Sequence, residues 1–319
     1  MLSRVADSLY WMSRYLERAE HTARVLDVNR HGLLDQKTDV TQKRWTRVLR
    51  SLRVDLPDAA PSNLARTVAL DPALPDSIVR CVAAARQNAR EVREEISSEM
   101  WEQINRLHLF VRAQQSGDDW ENQAHGFFHK VKHGSHLFQG LTDSTMSHNE
   151  GWQFIQLGRY LERVAATVNL LDAHVNMAAL SNGNGRALPS HSQQDWAGLL
   201  KSCTALEAYS RVHTANIQPD RAVEFLLLDA AFPHSVRFGS TMVERALDAL
   251  ADGAPTLKHS DLLRTAGRLT SATRFYDLSE MIYEGLPSHL DQIRGRCERI
   301  HQGVYDTFIT YTVEFAVSD

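Results

Sequence analysis

The chain has 319 residues, of which 43% are hydrophobic and 23% charged, and its formal net charge is -4 at pH 7. These values are typical of a globular protein, and the absence of a basic excess argues against a nucleic-acid-binding protein. No run of about 18 apolar residues occurs, so we expect no membrane-spanning helix. The three cysteines are scattered without metal-ligand spacing. The cysteines fit reduced thiols in a cytoplasmic protein. We also expect no cofactor and no bound metal.

Hydrophobic residues recur at helical spacing along most of the chain, and the alternation typical of β-strands is nearly absent. The sequence therefore predicts an all-α protein, a multi-helix bundle. In the first part of the chain we expect helices over residues 2–34, 41–53, 62–70, 76–115, 119–140 and 148–180. A linker rich in Ser, Asn and Gly follows at 181–185. Further helices are expected over 193–213, 219–231, 233–252, 258–273, 275–284 and 287–315.

One pentapeptide occurs twice. The sequence Arg-Tyr-Leu-Glu-Arg at Arg14–Arg18 returns unchanged at Arg159–Arg163, and eight of fourteen positions match when the comparison extends to Asp27 and Asp172. Recurrence of this kind indicates an internal structural repeat of long helices. We expect a first helical half, residues 1–145, and a second, residues 146–319, packed as one compact unit.

The repeated segment also predicts a site. On an ideal helix, each copy places apolar residues on one side and its charged residues on the other. Two such faces, brought together by pseudo-symmetry, would line one polar groove; an ordinary solvated face with local ion pairs is the alternative. The candidate catalytic residues are Glu17 and Glu162. The candidate binding residues are Arg14, Arg18, Arg159, Arg163, Tyr15, Tyr160 and His21.

A second polar cluster lies on the helix predicted over 76–115. Arg86, Arg90 and Arg93 recur at three- and four-residue steps, and guanidinium groups on one stripe suit a carboxylate or a phosphate. Surface pairs with neighbouring glutamates are the alternative. Further binding candidates on this helix are Asn88, Glu99, Trp101 and Glu102.

The start of the second-repeat helix supplies two more binding candidates, His148 and Trp152. Ser147 and Glu150 have the spacing of a capping box that would begin this helix. Because helix N-termini favour anions, an anion site is one interpretation of this segment, and a routine capped helix is the other.

Histidines are concentrated on the helix predicted over 119–140, where His125, His129, His133 and His136 share one face. Histidines four residues apart can chelate a transition metal. However, a His-Glu-x-x-His pattern is absent, and a carboxylate-bridged metal pair would need Glu-x-x-His on two helices. We therefore prefer a hydrated polar stripe. The sequence also lacks a Gly-x-Ser-x-Gly elbow and a Gly-rich phosphate loop.

Several motifs occur in a fixed order along the chain. They are Leu2–Met12 followed by Arg14–Glu20, Asn88–Arg90 with Ile96–Glu102, Thr145–Trp152, Gly158–Arg163, and Phe225–Asp229 with Phe232–Pro233. Together they resemble the bacterial Alpha-E family, an all-helical family, over essentially the whole chain. Local departures are Ser13, where the second copy has Gly158, and His234, where an arginine is common.

The resemblance implies partners rather than a reaction. It points to a circularly permuted ATP-grasp protein and a transglutaminase-like protein, and hence to ATP-dependent amide ligation in the synthesis, tagging or turnover of a small peptide. The prominent glutamate of the family maps to Glu17 or Glu162. We therefore expect an accessory or substrate-binding subunit of an ATP-grasp amidoligase system, whose groove holds a carboxylate-bearing peptide or the partner.

Two other functions stay open. In the first, the protein is itself a peptide hydrolase or amide transferase with Glu17 or Glu162 as general base. Arginines around such a carboxylate would lower its pKa, which counts against a base. In the second, the protein is a structural, homo-oligomeric scaffold, and the repeated Arg and Glu residues form buried ion pairs.

Overall fold

The computed structural model describes residues 1–31, 38–56, 61–117, 119–182, 188, 191–213, 216–251 and 257–310. Within these ranges the chain folds into helices joined by short connections, without a β-strand. The prediction of an all-α helical bundle is confirmed. Its physical basis is the helical recurrence of apolar residues, which gives nearly every helix a face to bury.

The helices of the first half are α1 Ser3–His31, α2 Thr38–Leu52, α3 Pro61–Leu70, α4 Ile78–Glu91, α5 Ser98–Ala113 and α6 Trp120–Thr145. Those of the second half are α7 Glu150–Asn182, α8 Gln193–Ser202, α9 Leu206–Val212, α10 Pro219–Leu228, α11 Val236–Ala251, α12 Leu257–Arg274, α13 Leu278–Glu284 and α14 Leu286–Val304. A π-helical turn, Tyr305–Ile309, continues α14.

The single helix predicted over residues 76–115 is wrong, because the chain turns between α4 and α5. The hydroxyl of Ser97 accepts the N–H of Met100 at 3.2 Å and so caps α5. Val92 and Ile96 in the turn are buried. Since the turn contains apolar residues and neither Gly nor Pro, the hydrophobic pattern continued through it and concealed the break.

Other predicted boundaries also need correction. Residues 193–213 form two helices, separated by a turn in which Thr204 has a φ of 55°. The capping box from Ser147 to Glu150 is not formed; instead, Asn149 Oδ1 accepts the N–H groups of Gly151 and Trp152 at 3.1 and 3.4 Å. Residues 181–182 of the predicted linker belong to α7, and its remainder lies outside the described residues, as do the predicted helix ends at 34 and 315.

Helix α1 lies inside the bundle, where it packs against α7, α4 and α6. Its predicted apolar stripe is buried, for example at Leu9, Leu16 and Leu26. The opposite side is buried too, because Tyr10 and Glu17 are 0% and 2% exposed. The polar face of the first repeat is therefore inside the protein, which excludes an ordinary solvated face.

Helices α1 and α7 run parallel, with equivalent turns of the repeat side by side. The N-terminal amine at Met1 contacts Glu150, and Arg18 contacts Glu162, so contacting positions advance together along both helices. The two helices come close at Gly158, where an added Cβ would overlap the Ser13 hydroxyl and the Tyr10 carbonyl oxygen. The departure from the repeat at Ser13 and Gly158 thus lets two backbones come together. We call this contact between α1 and α7 the seam.

The predicted boundary between the two halves coincides with a turn, since α6 ends at Thr145 and α7 begins at Glu150. The seam joins the two sides of this boundary. The division into halves remains a prediction from the repeat.

Candidate functional site

On one side of the seam, Glu17 and Arg163 form a buried ion pair. Arg163 donates through Nε to Glu17 Oε1 at 2.6 Å and through Nη2 to Oε2 at 3.0 Å, and Gln139 Nε2 donates to Oε2 at 3.0 Å. Burial alone would lower the pKa of Arg163, but the charge of Glu17 raises it above its usual value. Arg163 also donates to the Pro233 carbonyl at 3.4 Å. This pair is sealed from solvent by α6 and by the turn before α11.

On the other side of the seam, the equivalent glutamate, Glu162, accepts hydrogen bonds from two arginines of α1. Arg14 Nε donates to Oε2 at 2.8 Å, and Arg18 Nε and Nη2 donate to Oε1 and Oε2 at 2.6 and 3.1 Å. Burial would raise the pKa of Glu162, but Arg14 and Arg18 lower it to about 2. Arg18 also pairs with Asp76.

The ion pairs on the two sides of the seam are reciprocal, because the glutamate of each repeat accepts hydrogen bonds from an arginine of the other repeat. The structure therefore brings the two repeated faces together, as the sequence led us to expect. They do not line one continuous groove, however. The Glu17 side is closed, whereas the Glu162 side opens into a cavity.

The cavity has a volume of about 400 Å³ and lies between α1, α7, the C-terminal end of α2, and α14. Its polar lining includes Arg14, Arg18, His21, Glu162, Arg294 and His301. Its apolar lining comes from residues such as Leu52, Val68 and Leu161. The volume falls within the range of about 300–1,000 Å³ that is typical of small-molecule sites.

His301 was not among the predicted site residues. Its Nδ1 lies 3.0 Å from Arg14 Nη1 and 2.9 Å from the Tyr10 hydroxyl. Burial and the neighbouring Arg14 lower the pKa of His301 to about 4, and burial raises that of Tyr10 to about 12. The sequence signal that could have pointed to His301 is its Glu-x-x-His spacing from Glu298, which places the two residues on one face of a helix. Both residues line the cavity.

His21 is a predicted residue that does line the cavity. Its Nε2 is shielded from solvent and has no hydrogen-bond partner among the described residues. Burial lowers the pKa of His21. The repeat has Ala166 at the equivalent position, so the sequence comparison within the chain could not have singled out this histidine.

Other predicted residues of the repeat lie outside the cavity. Arg159 Nη1 lies 3.6 Å from Asp143 Oδ2 and donates to Gln156 Oε1 at 3.3 Å. Tyr15 stacks on Trp11 with ring centroids 5.0 Å apart. The ring of Tyr160 lies beneath the guanidinium of Arg163, 5.3 Å from ring centroid to Cζ. These three side chains support the seam from its outer sides.

The arginine stripe predicted on one long helix is not formed, since Arg93 lies beyond the end of α4. Arg86 donates to Asn105 at 2.7 Å, and the guanidinium groups of Arg86 and Arg93 lie 5.5 and 5.9 Å from the ring centroid of Trp101. These contacts join α4 to α5, away from the cavity. Asn88 is half-buried on α4, and the exposed candidates of this region are Arg90, Glu99 and Glu102.

The candidates at the start of α7 form a surface cluster. His148 stacks on Trp152 with ring centroids 4.1 Å apart, and Trp152 Nε1 donates to Asp143 at 3.2 Å. Neither residue lines the cavity.

The histidine stripe of α6 lies against acidic residues of α1. His125 Nδ1 is 2.9 Å from Asp27 Oδ1, and His136 Nε2 is 3.4 Å from Glu20 Oε1. Over the described ranges, no group of three or more His, Cys, Asp or Glu side chains has the arrangement of a metal site. Across the same ranges, no helix combines the length and the apolar character needed to cross a membrane.

Comparison with known proteins identifies the family. The Alpha-E family model, described as a predicted alpha-helical domain with a conserved ER motif, matches residues 1–309. Uncharacterized proteins of Mycobacterium bovis and Mycobacterium tuberculosis are 22% identical to the chain over 314 residues, which covers 91% of this chain and 34% of theirs. The chain thus spans about a third of the length of these curated relatives. No solved structure matches it with significance.

Proposed function

Because this chain is a member of the Alpha-E family, we propose that it is the accessory, ligand-binding subunit of a cytoplasmic ATP-grasp amidoligase system. In this proposal the cavity on the Glu162 side of the seam holds a peptide that the ATP-grasp protein extends, tags or releases. A transglutaminase-like protein would act on the same peptide.

The observation that supports the proposal is that only one of the two Glu-Arg pairs across the seam lines a cavity. If both served only to hold α1 against α7, both could be sealed, yet the pair at Glu162 lines a cavity of about 400 Å³. Arginines at the base of such a cavity suit an acidic ligand, and its apolar wall suits a side chain or backbone.

The size of the relatives supports a protein partner. In the mycobacterial proteins the matching region is 34% of the polypeptide, so there it is joined to much additional chain. A domain that is joined to further chain in its relatives is consistent with a domain that works together with another protein.

The geometry gives less support to a glutamate general base. Both oxygens of Glu17 are occupied by Arg163 and Gln139, and the pair is sealed. Glu162 has a pKa of about 2, and a carboxylate of that pKa is a weak base at neutral pH. The buried pair of Glu17 and Arg163 supports a structural role for that side of the seam alone.

The test is a pull-down and calorimetric titration of the purified protein against an ATP-grasp amidoligase protein of the same organism. We expect binding by wild type and by Arg221→Ala, which alters an exposed ion pair with Glu224 on α10. We expect Arg53→Ala, which alters an exposed residue of the cavity rim, to fold normally and to reduce peptide binding by the complex. Absence of binding by wild type would contradict the proposal.

A further inference from the structure

The lining of the cavity contains one more arginine than acidic residues. Its lining contains the four arginines Arg14, Arg18, Arg53 and Arg294, and the three acids Asp76, Glu162 and Glu298. The two histidines of the lining are neutral near pH 7, because burial lowers the pKa of each. Arg294 is already paired with Asp172 and Asp291, which lie outside the lining, and Arg53 is paired with Glu298. Neighbouring carboxylates therefore balance the arginines of the lining, and a ligand has to be recognised by hydrogen-bond donors.

The Arg14 contact fixes the tautomer of His301. A guanidinium can only donate hydrogen bonds, so His301 Nδ1, at 3.0 Å from Arg14 Nη1, must be the acceptor. In a neutral imidazole the proton then resides on Nε2. No bond to Nε2 occurs among the described residues, so His301 carries an unused N–H donor at the cavity wall.

Arg18 also has N–H donors without a hydrogen-bond partner among the described residues. Its guanidinium has five N–H groups, and its partners among the described residues are Glu162 and Asp76, through one N–H on each nitrogen. Two N–H groups are left. They belong to a side chain that lines the same cavity as His301 and is partly open to it.

We propose that the cavity binds a small ligand through one carboxylate group, with His301 Nε2–H and the two remaining N–H groups of Arg18 as its donors. This inference rests on the proposed function, because it names the chemistry of the ligand in the same cavity. A carboxylate fits better than a phosphate, since the arginines of the lining are already paired with carboxylates and a dianion would bring a second uncompensated charge. The free C-terminus of a short peptide meets this requirement.

The matched probes are N-acetyl-Ala-Ala and its C-terminal amide, with inorganic phosphate as a third ligand, titrated calorimetrically into the full chain. We expect the acid to bind at least about tenfold more tightly than the amide, because hydrogen bonds to a charged acceptor are the stronger ones. Equal binding of acid and amide, or tighter binding of phosphate, would overturn the inference.

His301→Asn tests the donor. Asn can place Oδ1 near the position of Nδ1 and so keep an acceptor for Arg14, but it has no group at the position of Nε2. We expect an unchanged melting temperature and at least about tenfold weaker binding of the acid. His289→Asn, on the same helix but outside the cavity, should bind like wild type. Unchanged binding by His301→Asn would refute the role of His301.

The tautomer can be read in wild type by nitrogen NMR, independently of any variant. We expect the proton of His301 on Nε2 at pH 7, and a proton on Nδ1 would overturn the inference. Carboxylate binding without ATP-grasp binding would uphold this inference and contradict the proposed partnership. ATP-grasp binding without carboxylate binding would contradict this inference and leave the proposed partnership supported.

Discussion

Glu17 and Arg163 are joined by two hydrogen bonds, of 2.6 and 3.0 Å, across the seam between two parallel helices. Their repeat equivalents, Glu162 and Arg18, are joined by two bonds of 2.6 and 3.1 Å. The first pair is sealed and the second lines a cavity. One repeated motif therefore serves packing on one side of the seam and provides a binding surface on the other.

Arg163→Met should lower the free energy of unfolding by about 3–5 kcal/mol, because it leaves the Glu17 carboxylate buried without its partner. The double variant with Glu17→Gln should lose less than the two single variants combined, since neither charge then remains buried. Urea unfolding of the four proteins measures this coupling. Glu150→Gln, which removes an exposed carboxylate from its pair with the N-terminal amine, should cost at most about 1 kcal/mol. Additive losses at Glu17 and Arg163 would show that the pair is not coupled.

Gly158→Ala should destabilise the protein by about 1–3 kcal/mol, because the new methyl group meets the Tyr10 carbonyl and the Ser13 hydroxyl within the seam. The matched control is Gly140→Ala on the exposed face of α6, where an added Cβ meets nothing within 4 Å. There Ala should stabilise the helix by up to about 1 kcal/mol. Thermal and urea unfolding distinguish the two, and a neutral Gly158→Ala would contradict the close approach.

Stability should fall as the pH decreases below 6.5, before most carboxylates titrate. Burial, with Arg47 nearby, lowers the pKa of His174 to about 3 from the usual 6.5. Below pH 6.5 the unfolded chain takes up a proton that the folded protein excludes, so the free energy of unfolding decreases. The loss is about 1.5 kcal/mol between pH 6.5 and 5 for this one group.

His174→Asn should reduce the slope of this pH dependence without abolishing it, because the pKa values of His21 and His301 are lowered too. His148→Asn, at an exposed position, should keep the slope of wild type. Urea unfolding at several pH values provides the measurement. The same slope in wild type and His174→Asn would show that His174 takes up a proton equally in both states.

Glu162→Gln should strengthen carboxylate binding in the cavity. The variant removes the negative charge that now occupies Arg14 and Arg18, so more of their N–H groups become available to a ligand. Calorimetry with N-acetyl-Ala-Ala tests the expected decrease in Kd. Weaker binding by this variant would indicate that Glu162 itself contacts the ligand.

The sequence predicts the contact between α1 and α7 well, because the signals for it are short motifs within each helix. Identical residues at Arg14–Arg18 and Arg159–Arg163 identify two equivalent helical turns, and the apolar periodicity predicts helices around them. The difference between the two copies also has a structural meaning, since Gly158 faces Ser13. What the repeat could not show is which side of the seam is open, because that depends on α2, α6 and α14.

The errors arise where distant parts of the chain decide the outcome. His301 lies 291 residues from Tyr10, and only tertiary packing brings its Nδ1 to Arg14 and the Tyr10 hydroxyl. The turn between α4 and α5 was missed because Val92 and Ile96 continue the apolar pattern. There the cap at Ser97 was the available local signal.

The most direct test of this account compares urea unfolding of Glu17→Gln and Glu162→Gln. Both variants remove one carboxylate charge from the same motif of the repeat. We predict a loss of about 3–5 kcal/mol for Glu17→Gln, since Arg163 is left charged in a sealed site. We predict a clearly smaller loss for Glu162→Gln, because Arg14 lines the cavity, where water can solvate its charge, and Asp76 still pairs with Arg18. Equal losses would contradict the division of the seam into a sealed side and a binding side.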